Sequence, residues 1–101
     1  MSSIKSIMSE CIINCKKCII HCKKMPGMKD CISACEDCIK CCEIVIKYKL
    51  NNKKLYNYML KLCSMACKLC IKACKIHKDD EECMKCIKSC EKCIAILSQY
   101  K

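Results

Sequence analysis

A chain of 101 residues has room for one small domain, and we expect a single domain over residues 1–101. One Gly, one Pro, no Phe and no Trp leave few places to break regular structure and remove the largest fillers of a conventional core. The net charge of +10 comes from lysines spread along the whole chain without any arginine. Because Arg is the residue best suited to recognise bases and phosphates, nucleic acid is not an expected partner.

The N-terminal segment does not resemble an export signal. Lys5, Glu10 and Lys16 interrupt any apolar run, and there is no twin-arginine pair. No stretch approaches the roughly 18 apolar residues that span a bilayer, so we expect no membrane association. The sequence therefore predicts a cytoplasmic protein, in a compartment where disulfides are rare.

Four amphipathic helices are predicted along the chain, over about residues 3–24, 28–50, 53–77 and 80–99. Short breaks with turn or cap residues separate them, and these are Pro26–Gly27, Asn51–Asn52 and Asp79–Asp80. Short connections place neighbouring helices antiparallel. The predicted fold is therefore all-α, an antiparallel up-down four-helix bundle.

Each predicted helix carries four cysteines in the a/d rhythm of a bundle core, with steps of 4, 3 and 4 in the first three helices and 3, 4 and 3 in the fourth. These sixteen stripe cysteines are Cys11, Cys15, Cys18, Cys22, Cys31, Cys35, Cys38, Cys42, Cys63, Cys67, Cys70, Cys74, Cys83, Cys86, Cys90 and Cys93. The seventeenth, Cys41, falls beside the stripe but still borders the core. We expect a cysteine-lined core in which all seventeen are candidate metal ligands.

Antiparallel pairing would stack the stripes into four flat layers. The expected layers are Cys22/Cys31/Cys74/Cys83, Cys18/Cys35/Cys70/Cys86, Cys15/Cys38/Cys67/Cys90 and Cys11/Cys42/Cys63/Cys93. The two ends of this column differ in sequence. An apolar plug is expected at one end, from Met8, Val45, Leu60, Leu97, Ile4, Tyr56 and Tyr100. Softer candidate ligands gather at the other end, namely Met25, Met28, His77 and, on the flank, His21.

Cu(I) fits this pattern best, since it is soft and prefers thiolate and thioether ligands. One Cu(I) per thiolate gives a neutral lattice, whereas a zinc tetrathiolate carries about −2 and is costly to bury. Zinc or another soft ion remains the alternative. Iron–sulfur clusters are less favoured because the ferredoxin cysteine motif is absent. Cysteines that serve only as small core residues would not explain every central position.

Tandem C-x3-C pairs over four helices, such as Cys11/Cys15 and Cys31/Cys35, resemble those of the bacterial copper storage proteins. The resemblance implies a non-enzymatic four-helix bundle that fills its core with many Cu(I) ions, with a copper chaperone or copper-requiring enzyme as a possible partner. It also implies that the end bearing His21, Met25, Met28 and His77 admits copper. The fourth helix departs from the pattern, because Cys83 lacks an outer C-x3-C partner.

Outward apolar rows on two helices predict contact with another copy of the chain. Ile13 and Ile20 lie seven residues apart on the first helix, and Leu62, Leu69 and Ile76 repeat that spacing on the third. Family members tend to form tetramers of bundles. We therefore expect a homo-oligomer, either a dimer or a tetramer.

Overall fold

The computed structural model describes residues 3–99, which form four α-helices without a strand in that range. The helices are α1 (Ile4–Cys22), α2 (Lys29–Lys47), α3 (Lys53–Lys75) and α4 (Glu81–Leu97). Helix α1 packs against α2 and α4, and α3 packs against the same two helices. This square arrangement confirms the predicted all-α four-helix bundle.

Local residue chemistry explains where the helices begin. Asn52 caps α3 by accepting a hydrogen bond from the Leu55 N–H at 3.0 Å, and Asp80 caps α4 by accepting from the Glu82 N–H at 3.0 Å. The turn after α1 uses Gly27 at φ 75, a left-handed conformation that glycine adopts without strain. The three predicted breaks therefore lie where the structure has them.

Helix α2 is shorter than predicted, ending at Lys47 rather than near residue 50. Val45 is its last buried residue, and Tyr48 has extended backbone angles of φ −115 and ψ 119. Beyond Val45 a further turn would face only solvent, because Tyr48 and Leu50 are exposed. The apolar sequence pattern therefore extends beyond the last turn of α2 that packs against the core.

Cysteines fill the centre of the bundle and isoleucines seal its flanks. Ile39 and Ile87 are buried, and other isoleucines of the flanking positions pack half-buried against the core, namely Ile12, Ile19, Ile32, Ile46, Ile71 and Ile94. These isoleucines bury apolar surface that the small cysteine side chains lack. Each Å2 of apolar surface buried contributes roughly 25 cal/mol to the free energy of folding. Within residues 3–99, none of the four helices combines the length and the hydrophobicity that a bilayer crossing requires.

Candidate metal centre

The sixteen stripe cysteines point into the core of the bundle. All are at most 1 % exposed, and every described cysteine is a free thiol. Each helix supplies four of them because the a/d spacing returns a side chain to the same face at every turn. The bundle therefore surrounds a column of sulfur.

Helices α2 and α3 form a ladder of paired sulfurs, as the layers predicted. The four rungs are Cys31–Cys74 at 3.1 Å, Cys35–Cys70 at 3.6 Å, Cys38–Cys67 at 3.7 Å and Cys42–Cys63 at 3.7 Å between Sγ atoms. From one rung to the next, the residue number rises along α2 and falls along α3. This half of the column confirms the antiparallel register.

Helix α1 departs from the flat layers. Its Cys15 contacts Cys86 at 3.5 Å and its Cys11 contacts Cys90 at 3.8 Å, where the expected partners were Cys90 and Cys93. The sulfurs of α1 therefore lie between rungs, and the prediction of four flat layers is wrong for this helix. The heptad pattern defines which face of a helix is buried, whereas the axial offset between two helices is a property of their packing.

The offset creates groups of four sulfurs that share members. Five groups have all four Sγ atoms within 4.8 Å of one another: Cys11/Cys38/Cys42/Cys67, Cys11/Cys15/Cys38/Cys90, Cys15/Cys35/Cys70/Cys86, Cys18/Cys35/Cys74/Cys86 and Cys18/Cys31/Cys74/Cys83. Successive groups overlap through residues such as Cys15 and Cys18. The column is thus a continuous series of potential metal sites instead of a set of isolated ones.

Burial and mutual contact divide the thiols into two kinds. Burial raises the pKa of Cys22 to about 11, so this thiol holds its proton at neutral pH. The neighbouring Cys15 thiol lowers the pKa of Cys11 to about 7. Hydrogen bonds from Cys15 and from Cys11 likewise lower the pKa of Cys35 and of Cys38, respectively. The pKa is thus shifted in opposite directions within the column, upward at Cys22 and downward at Cys11, Cys35 and Cys38.

The end of the column next to Cys31 and Cys74 bears the predicted soft ligands. Met28 is buried, Met25 and His77 are half-buried, and together they line an open pocket with Pro26, Ile76, Asp79 and Asp80. We call this the mouth end. The structure brings three of the four non-cysteine candidates together, and their role as ligands stays a prediction.

His21 has a partner that the sequence did not suggest. Its Nε2 lies 2.5 Å from the Asp80 carboxylate, the cap of α4, and joins the end of α1 to the start of α4. Burial would raise the pKa of Asp80, but hydrogen bonds from His21 and from the Cys83 N–H hold that pKa below its ordinary value. One of the two imidazoles proposed as copper ligands, that of His21, therefore already has a carboxylate partner. Fifty-nine residues separate the two partners, so no local pattern could have paired them.

Cys41 lies apart from the five groups. It is half-buried and faces a groove between α2 and α3 that is lined with Leu62, Met65, Leu69 and Asp37. Burial raises the pKa of its thiol, and the negative charges of Cys38 and Asp37 raise it further. The expectation that it joins the core ligands remains a prediction without a four-sulfur group to support it.

The opposite end of the column is sealed by apolar side chains. Met8, Val45, Leu60 and Leu97 are buried, and Ile4 and Tyr56 pack half-buried beyond them. Tyr100, also expected here, lies outside the described residues. We call this the closed end, because the predicted plug is present in the part of the chain that the structure describes.

The fold and the thiol column define a helical bundle built to sequester metal. The chain belongs to the copper storage protein family, whose family model matches residues 1–99. No curated protein and no solved structure gave a match. Family membership and the cysteine groups together indicate metal sequestration as the role of the core.

Proposed function

We propose that this protein stores multiple Cu(I) ions on its core thiolates and catalyses no reaction. The observation that supports this most is the overlap of the five sulfur groups. Cu(I) favours sulfur ligands and accepts two or three of them, so adjacent ions can share a bridging thiolate along such a column. A series of overlapping sulfur sites of this kind suits the binding of many soft ions at once.

Charge balance supports the same ion. Of the residues described as buried, Ser89 is the single polar one, so the column has no buried cation beside it. Loading with one Cu(I) per thiolate keeps the core neutral. Each zinc tetrathiolate would add about −2 to a low-dielectric core, at a large desolvation cost.

Zinc storage is the alternative, because four sulfurs within 4.8 Å also suit tetrahedral Zn²⁺. The overlap limits it, since a tetrathiolate site cannot share its ligands and remain complete. Three of the five groups have no member in common: Cys11/Cys38/Cys42/Cys67, Cys15/Cys35/Cys70/Cys86 and Cys18/Cys31/Cys74/Cys83. Zinc would thus occupy at most three of these groups at once.

Metal analysis of protein isolated from cells grown with both excess copper and excess zinc tests the proposal. We expect copper in large molar excess over zinc. A product with zinc alone, at three or fewer ions per chain, would favour the alternative. The Cys38→Ser and Cys35→Ser double variant is a useful partner, because these residues occur in four of the five groups and should reduce the copper content.

Ions would enter and leave at the mouth end. Met25, Met28 and His77 offer neutral soft ligands next to the Cys31–Cys74 rung, and so could pass Cu(I) to the thiolates without an exposed charge. In the cytoplasm, a copper chaperone or a copper-requiring enzyme would exchange ions at this end. His21 is the weakest member of the set because Asp80 engages it.

The chain would assemble as a dimer or tetramer through its outward apolar rows. Ile20 is 61 % exposed, Leu62 56 % and Leu69 60 %, although each is a large aliphatic residue on a regular helix. Sedimentation of a Leu62→Lys and Leu69→Lys variant should give monomers where the unmodified chain gives oligomers. Leu50→Lys is the control, since Leu50 is 40 % exposed but lies in the connection between α2 and α3, outside both rows. A monomeric unmodified chain at tens of micromolar would reject the assembly.

A further inference from the structure

The Cys31–Cys74 rung stands apart from the rest of the column. Its sulfurs are 3.1 Å apart, whereas the other sulfur contacts between described residues measure 3.5 to 3.9 Å. We propose that Cys31 and Cys74 form a hydroperoxide-sensitive disulfide site that shuts the mouth end of the metal-free column. The site would link copper loading to the oxidation state of the surroundings, and in that respect it rests on the proposed copper function.

Position distinguishes this rung from its counterpart at the other end. Both of its sulfurs are buried, but Met28 and His77, which lie three residues from Cys31 and from Cys74 along the chain, line the open pocket of the mouth end. The matching rung at the other end of the same two helices, Cys42–Cys63, lies under the plug of the closed end. Because Cys31 and Cys74 lie in terminal turns of their helices, local opening of those turns would expose them to hydrogen peroxide, which is scarcely larger than water.

Helix ends also assign a role to each sulfur. Cys31 lies in the first turn of α2, where the positive end of the helix dipole favours a thiolate. Cys74 lies in the last turn of α3, where the dipole has the opposite sign and favours the thiol. A nucleophilic cysteine with a second cysteine in contact is the arrangement typical of peroxide-sensing thiol pairs.

The chemistry balances with the peroxide as the oxidant. The Cys31 thiolate attacks one peroxide oxygen, the O–O bond breaks, and the departing hydroxide takes up a proton to become water. Cys31 is then a sulfenic acid. Cys74 attacks that sulfur, a disulfide bond forms, and hydroxide leaves with the Cys74 proton as a second water. Two thiols lose two electrons and two protons, and one hydrogen peroxide becomes two waters.

Loss of these two thiols would affect the mouth end alone. Cys74 belongs to both groups nearest the mouth and Cys31 to the outer one, while the remaining three groups contain neither residue. The oxidised protein should therefore load copper several-fold more slowly and hold about two fewer ions, in proportion to the thiols removed. Bound Cu(I) occupies both sulfurs and should protect them from oxidation.

Disulfide mapping of the metal-free protein tests the site without reference to copper. The reduced chain is treated with one equivalent of hydrogen peroxide and digested with trypsin. The tryptic peptide 73–75 has Cys74 as its single cysteine, and we expect it linked to the peptide 30–40 through Cys31. The Cys42→Ser variant should give the same bond. The Cys31→Ser variant should lose it, and Cys74→Ser should leave a sulfenic acid on Cys31 that dimedone labels.

Two outcomes would overturn the proposal. The disulfide site is rejected if the first bond forms at Cys42–Cys63 or is spread evenly over the four rungs. The gating role is rejected if the singly oxidised protein loads Cu(I) at the rate of the reduced protein. If neither sample binds copper while the Cys31–Cys74 bond still forms, the disulfide site stands and the proposed copper function fails.

Discussion

The two ends of the bundle share one helical repeat and differ in the side chains that line the pocket at each end. At the mouth end an open pocket combines thioether and imidazole side chains with carboxylates, and its residues include Met25, Met28, His77, Asp79 and Asp80. At the closed end a pocket above the plug is rimmed by ammonium groups, with Lys5, Lys49 and Lys53 around Met8, Val45 and Tyr56. The thiol column itself is continuous between them.

We expect this difference to give the column a direction. The carboxylates of the mouth-end pocket should attract a metal cation, whereas the three lysines of the closed-end pocket should repel it. Apolar side chains then add a barrier that a charged ion crosses only after losing its ligands. Both effects act in the same sense, so the sequence differences at the helix ends are expected to control where copper exchanges, and the cysteines how much is held.

The largest effect is expected from the closed end. Leu60→Ala and Leu97→Ala remove side chains that are 2 % and 4 % exposed, and each should lower the free energy of unfolding of the metal-free protein by about 2–5 kcal/mol. Urea denaturation under reducing conditions measures this. Leu50→Ala, at a site that is 40 % exposed, is the control and should cost less than about 0.5 kcal/mol.

The mouth end should affect rate rather than stability. Replacement of Met25, Met28 and His77 by Leu should slow copper uptake and removal several-fold, because the neutral soft ligands beside the column are lost. The copper capacity should stay nearly unchanged, since the sixteen stripe cysteines remain. Stopped-flow transfer from a chromogenic Cu(I) chelator measures the rate.

Met65→Leu is the control for that experiment, because Met65 is 57 % exposed but distant from the mouth end. The assignment of the entrance to the mouth end would be wrong if the variant with Leu at Met25, Met28 and His77 takes up copper at the unmodified rate, while the Leu60→Ala and Leu97→Ala variants take it up faster.

A smaller effect is expected from pH, with opposite signs at Cys22 and Cys11. The pKa of Cys22 at the mouth end is raised from 9.0 to about 11, so its stabilisation is present below pH 9.0 and is lost as the pH rises towards 11. The pKa of Cys11 at the closed end is lowered to about 7, so its contribution is present above pH 9.0 and is lost as the pH falls towards 7.

The urea concentration at the midpoint of unfolding, measured for the reduced metal-free protein at about pH 8.5 and about pH 11, tests the direction of both stability changes. We expect the unmodified chain to lose stability between them, and Cys22→Val to lose less. Cys11→Val should lose at least as much as the unmodified chain. Equal losses in all three proteins would mean that lysines and tyrosines cause the alkaline change.

The sequence predicted the bundle and its column because both depend on local periodicity. A cysteine step of 3 or 4 places the side chain on the buried face of a helix wherever the helix lies, and Asn52 and Asp80 cap helices through bonds to the next turn. The plug of Met8, Val45 and Leu60 followed from the same register. These features need no knowledge of how one helix is placed against another.

The features that the sequence did not predict all depend on contacts between distant segments. The axial offset of α1, which puts Cys15 against Cys86, comes from packing and not from periodicity. The His21–Asp80 pair joins two helix ends across the bundle. Cys41 packs half-buried against the core, as the heptad pattern predicted, but the sequence did not predict the groove between α2 and α3 that it lines with Met65.

Paired titration of the reduced metal-free protein with Cu(I) and with Zn(II), each against a competing chelator, tests the central claim most directly. Shared sulfurs and a neutral core predict roughly 16–20 Cu(I) per chain, near one ion per thiol. Because unshared groups are limited, no more than three zinc ions should bind as complete tetrathiolate sites. Saturation with three or fewer ions of either metal would contradict a continuous Cu(I) column and favour isolated zinc sites.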